Sequence, residues 1–151
     1  GGTLTDTTNQ EFQVSSATLT KTSDTALAII PGLSQALTAG KTYHCRGHLT
    51  GTSGTSGGIK VALVATSGLS ATQTTFTGYT WNGTTAVANT TVTALGSNIA
   101  ANTAVYSDLY IDGSILVNAG GTINVEGAQN ASNSTPTTVL QGSTFSCVRT
   151  N

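Results

Sequence analysis

Tyr43-His44-Cys45-Arg46-Gly47-His48-Leu49 alternates apolar or small residues with ionisable ones over seven positions. A period of two belongs to a β-strand, whose successive side chains point to opposite faces. Tyr43, Cys45, Gly47 and Leu49 therefore face inward, and His44, Arg46 and His48 share the other side. The run Val105–Val117 repeats the pattern. There Val105, Leu109, Ile111, Ile115 and Val117 form the apolar set, and Tyr106, Asp108, Tyr110 and Asp112 the opposite one. One strand shows His-Arg-His and another Tyr-Asp-Tyr-Asp. If the two share a sheet, its outer face is both aromatic and charge-complementary.

Outward from these runs the same texture continues. Strands are expected over Glu11–Ser15, Ala26–Ile30, Lys41–Thr50, Gly58–Ala65, Gln73–Trp81, Thr84–Ala94, Ala104–Asn118, Thr122–Gln129 and Ser143–Thr150. Turn dipeptides separate them, with Pro31-Gly32 and Asn82-Gly83 the most specific. Gly51–Gly58 reads as a flexible loop, Ala119-Gly120-Gly121 as a turn and Ala131–Thr137 as a polar loop. No amphipathic helix and no internal repeat is visible. Many short strands at 8–12-residue spacing predict an all-β, antiparallel sandwich or barrel.

Composition agrees. Threonine, β-branched and stiff at χ1, supplies 31 of the 151 residues, and charged residues only 7%. Ordinary soluble domains carry about 25% charged residues, so hydroxyls and amides cover this surface instead. A single domain of 15.1 kDa buries enough surface for a real core. Net charge is -1 and the five basic residues are scattered, which argues against a nucleic-acid face. No apolar run is long enough to span a bilayer as a helix, and no signal-peptide pattern is seen. The chain opens on Gly1-Gly2 without methionine, as expected of a processed protein or a piece of a longer one.

Catalytic chemistry finds little footing. His44 and Cys45 are neighbours on a strand and point apart, so they form no dyad. His44 and His48 lie about 13 Å apart on one strand, too far for one ion with metal–nitrogen bonds of about 2.0 Å. A site with one histidine per subunit around a symmetry axis stays open. Asp108 and Asp112 are likewise about 13 Å apart, outside the roughly 5–9.5 Å of glycosidase pairs. Gly54-Thr55-Ser56-Gly57-Gly58 matches G-x-S-x-G in letters only, because no helix follows it and no histidine lies downstream. Asn82, Asn89, Asn130 and Asn133 each begin an N-x-S/T triplet, as chance allows in so threonine-rich a chain. No cofactor, no metal site and no enzymatic activity are expected.

Two binding readings remain. Aromatics and arginine on an outer face are the composition of an interface core, although a solvated face is the plain alternative. Tyr79, Trp81 and Asn82 near a hairpin tip would offer a sugar an aromatic platform, unless Trp81 closes the end of the core. Cys45 and Cys147 read as two buried small apolar side chains, with a single bridge as the alternative.

The segments Gly32–Tyr43 (GLSQALTAGKTY) and Ile111–Gln129 (IDGSILVNAGGTINVEGAQ), with the closing Val139–Phe145, resemble segments recurring in bacteriophage virion proteins. The resemblance runs from about Gly32 to Val148. It implies a compact jelly roll of the tumour-necrosis-factor or C1q type, homotrimeric, with an inner sheet packed around the threefold axis. Such modules are capsid decoration or cement proteins, head fibres or tail-fibre tips. On that resemblance, residues 11–151 form one jelly-roll domain behind a flexible arm, Gly1–Gln10. The trimer interface takes His44, Arg46, His48, Tyr106, Asp108, Tyr110 and Asp112. The partners are two further copies and the major capsid protein or another virion protein, with a host surface glycan as the alternative, and neither nucleic acid nor membrane. The place is the virion exterior after assembly in bacterial cytoplasm, where both cysteines would stay reduced. Reductant would then leave the thermal stability unchanged.

Overall fold

The computed structural model describes residues 10–151. Of the expected arm, residues 1–9 lie outside the described residues, and Gln10 opens the first strand. The described chain is all-β: β1 (Gln10–Val14), β2 (Leu19–Lys21), β3 (Ala28–Leu37), β4 (Thr42–Thr52), β5 (Ile59–Thr66), β6 (Ser70–Trp81), β7 (Ala86–Val92), β8 (Asn98–Asn102), β9 (Asp108–Ala119), β10 (Gly121–Ala128), β11 (Thr137–Val139) and β12 (Thr144–Arg149).

The pairing follows one rule. The first strand pairs with the last, and each later strand with its counterpart counted from the other end: β1–β12, β2–β11, β3–β10, β4–β9, β5–β8 and β6–β7, all antiparallel. The chain is a long ribbon doubled back on itself. The fold-back is the turn at Asn82–Thr85. There the Asn82 side-chain oxygen accepts from the amides of Thr84 (2.9 Å) and Thr85 (2.8 Å), and Gly83 takes φ +93°.

The ribbon is rolled up by further antiparallel pairings, β12–β4, β9–β6 and β10–β5. Two sheets result. The larger runs β1-β12-β4-β9-β6-β7, with β11 and β2 attached beside β4, and the smaller runs β3-β10-β5-β8. Their inner faces make one core. Tyr43, Cys45, Leu49, Phe76, Leu109, Ile111, Ile115 and Phe145 of the larger sheet meet Leu33, Val61, Leu63, Ile99, Ile123 and Val125 of the smaller. Gly78 on β6 admits Ile99, where any Cβ would overlap that side chain.

Three expectations are corrected. Pro31-Gly32 is not a turn between strands but an irregularity inside β3. Its pairing with β10 jumps from Ser34↔Asn124 to Ile29↔Glu126, which absorbs the proline and the positive φ of Gly32. Its carbonyl is not idle: Pro31 accepts from the Ser16 amide at 3.0 Å. Three short strands, β2, β8 and β11, were not expected from the sequence. The cysteines are not free thiols: Cys45 and Cys147 sit opposite each other on β4 and β12 and are joined in a disulfide, buried in the core.

Candidate functional site

The outer face of the larger sheet is the part of the surface that gathers unusual residues. β4 and β9 are direct neighbours, with His48 opposite Tyr110 and Arg46 opposite Asp112. β6 lies on the other side of β9, with Tyr79 opposite Tyr110 and Trp81 opposite Asp108. β12 flanks β4, with Thr144, Ser146 and Val148 opposite His48, Arg46 and His44. The two sequence-expected groups, the His/Arg/Tyr/Asp set and the Tyr79/Trp81 pair, therefore fall on one continuous face.

Aromatic rings cross the strands as a stack. His48 lies on Tyr110 with centroids 4.5 Å apart and planes within 10°, and Tyr110 lies on Tyr79 at 4.9 Å and 23°. Both faces of the Tyr110 ring are thereby covered. Tyr79 is 40% and Trp81 36% exposed, so Trp81 does not close the core. Among the described residues no ring stacks on Trp81.

Charge on this face is paired within the subunit. The His48 ring nitrogen meets an Asp108 oxygen at 2.8 Å, and Ser107 donates to the other oxygen at 2.7 Å. Those bonds, His48 first, hold the Asp108 carboxyl below the usual carboxylate range. The His44 ring bonds one oxygen of Asp112 at 2.5 Å, and Arg46 Nε stands 3.7 Å from the other. The two histidines thus serve different carboxylates. The Tyr110 phenol is pushed up, chiefly by desolvation and then by the charge of Asp108.

Tyr106 departs from the expected set. Strand β9 starts at Asp108, so the alternation does not extend back to Tyr106. Its ring is 1% exposed in the core and its hydroxyl donates to the Thr138 carbonyl, while Val105, expected inside, is 37% exposed. Burial raises the Tyr106 phenol pKa far above its ordinary value. Asn82 is not on the face either, since its side chain is spent on the β6–β7 turn.

Two hollows mark the face. One of about 510 Å³ lies among Arg46, His48, Tyr79, Tyr110, Asp112, Thr144 and Ser146. The other, about 390 Å³, lies among His44, Arg46, Ser146, Val148 and Thr150. Sequence reasoning missed the contribution of β12 to both. Alternation over Thr144–Thr150 would have placed Thr144, Ser146 and Val148 outward, but only the register shows them beside Arg46.

The class defined so far is an all-β protein of two antiparallel sheets with one uncovered aromatic and charged face. No family model and no curated protein matches the chain. Among solved structures it is similar to the Gx strain of infectious bursal disease virus, at 12% identity and TM-score 0.23, over 93% of this chain and 41% of that one. It is similar also to the VP2 subviral particle of infectious bursal disease virus, at 12% identity and TM-score 0.22, over 93% and 42%. The chain spans about two-fifths of the length of those structures. Likeness at those TM-scores carries no argument about this chain.

Proposed function

We propose that this chain is a non-enzymatic structural module of a bacteriophage virion. It is a jelly roll that assembles as a homotrimer through the outer face of its larger sheet. It decorates or cements the capsid on the particle exterior, after assembly in the bacterial cytoplasm, with the major capsid protein as partner. The observation that carries the reading is that uncovered face. It holds both histidines, Trp81, Tyr79 and Tyr110, in a chain with only 5% aromatic and 7% charged residues.

The doubled ribbon supports the jelly-roll half of the reading. Rolling a β-ribbon so that each sheet takes strands from both of its halves gives that architecture. A trimer suits local threefold positions of an icosahedral lattice, where repeated weak contacts add up through avidity. A surface so poor in charge makes contacts that salt screens little.

Sedimentation equilibrium at micromolar concentration tests the assembly, with a trimer expected and a monomer overturning it. Averaged images of intact particles test the role. Hundreds of copies at lattice positions are expected. A few copies at the tail or vertices would favour the second reading, a receptor- or glycan-binding domain of a head or tail fibre. That reading draws on the exposed ring of Trp81.

A further inference from the structure

The larger sheet's outer face is not uniform across its width. On β6 it is aromatic, with Trp81 and Tyr79 exposed. Toward β12 and β1 it is hollow, with two separate valines. Val148 lines the 390 Å³ depression beside Arg46, and Val14 of β1, opposite Thr144, is 47% exposed. Between them runs the paired charge of β4 and β9. Strands β6 and β12 are three strand intervals apart, about 14 Å.

A cyclic head-to-tail contact joins two different patches of the same chain, one ridge and one socket, whereas a twofold contact needs a single self-matching patch. The geometry points to Trp81 of one copy seated in the hollow beside Arg46 and Val148 of the next. The inference rests on the trimer reading and names its contact. The chemistry fits: among the described residues no ring stacks on the indole, Val148 stands in the otherwise polar wall of the hollow, and the Arg46 side chain is 70% exposed with its guanidinium at 3.7 Å from Asp112. An arginine over an indole face is a favourable cation–π pair. The occupant is a second copy, because ridge and socket are both on this chain.

Trp81 is the one tryptophan of the chain, so its fluorescence reports the contact directly. Emission should shift to shorter wavelength as concentration rises through the association range. Trp81→Ala and Arg46→Ala should each weaken association about tenfold or more. Both residues are exposed in the isolated subunit, so neither change should unfold it. Within one subunit the two lie about 16 Å apart from strand spacing and rise, beyond the range at which substitutions couple. If they meet across the interface, the double variant associates no more weakly than the worse single one. A trimer whose emission ignores concentration and whose W81A variant associates normally overturns the inference and leaves the trimer standing. A chain that stays monomeric throughout overturns both.

Discussion

Gln35, on β3 of the smaller sheet, hydrogen-bonds both main-chain polar groups of Cys147, on β12 of the larger. Its Nε2 donates to the Cys147 carbonyl at 2.9 Å and its Oε1 accepts from the Cys147 amide at 3.0 Å. The side chain is 4% exposed, so these bonds bridge the sheets inside the core. An amide suits the position because it alone offers one donor and one acceptor with this spacing. Gln35→Leu should therefore strand two buried backbone groups and cost about 2–4 kcal/mol. Gln35→Glu should cost a comparable amount, because an ionised carboxylate accepts but cannot donate to the Cys147 carbonyl. Urea unfolding of the three proteins checks this. A Leu variant as stable as the parent would show that the clasp contributes nothing net.

The same strand carries the Cys45–Cys147 disulfide, which closes a sequence separation of 102. A loop of that length, when cross-linked, removes much of the unfolded chain's freedom, worth about 2–5 kcal/mol in natural proteins. Reduction should lower Tm by on the order of 10 °C in a domain of this size. That reverses the expectation of unchanged stability drawn from a reducing cytoplasm. Calorimetry with and without reductant, with the bridge state followed by mass, decides it. Equal melting of the bridged and reduced forms would remove the bridge from the stability account.

How far the sequence foretold these features differs from strand to strand. Tyr43–Leu49 alternates without interruption, and every face assignment made from it holds: Tyr43, Cys45, Gly47 and Leu49 are buried. Tyr106 was misplaced because the alternation was carried two residues beyond the start of β9, and nothing local marks that boundary. Leu19–Lys21, Asn98–Asn102 and Thr137–Val139 are too short or too polar to show a period. They are strands through tertiary pairing, β8 with β5 and β11 with both β4 and β2. The disulfide depended on register, since inward-facing cysteines on two strands can bond only when placed opposite each other. Register is a long-range property that alternation does not encode. The outer face was legible in composition for β4 and β9, but its union with Tyr79 and Trp81 needed the β6–β9 pairing.

Asp108 should tie stability to acid. Its carboxyl is held below its ordinary range by His48 and Ser107. A group depressed in the folded state stabilises it above the unfolded pKa, near 4, and loses that contribution as pH falls through the folded value. The stability gap between the parent and Asp108→Asn should therefore shrink as pH is lowered from about 5 toward 2. Denaturant midpoints across that window measure it. A gap that stays constant would mean the His48–Asp108 bond is not linked to folding.

Tyr110 separates folding from assembly. It is half-buried, on the outer face, and its partners there are the rings of His48 and Tyr79. Cross-strand ring pairs contribute about 0.2–1 kcal/mol each, so Tyr110→Ala should leave the isolated subunit folded with a modest loss. If the face packs around a threefold axis, the same change removes an aromatic from the middle of the contact, where truncation is most costly. Thermal unfolding should then move by only a few degrees at concentrations where the parent is dissociated, while sedimentation shows the trimer lost. The contrast between the two readouts carries the test. A Tyr110→Ala protein that sediments as the parent does would place the assembly surface elsewhere, and the ring stack would then be a stabilising feature of an open sheet.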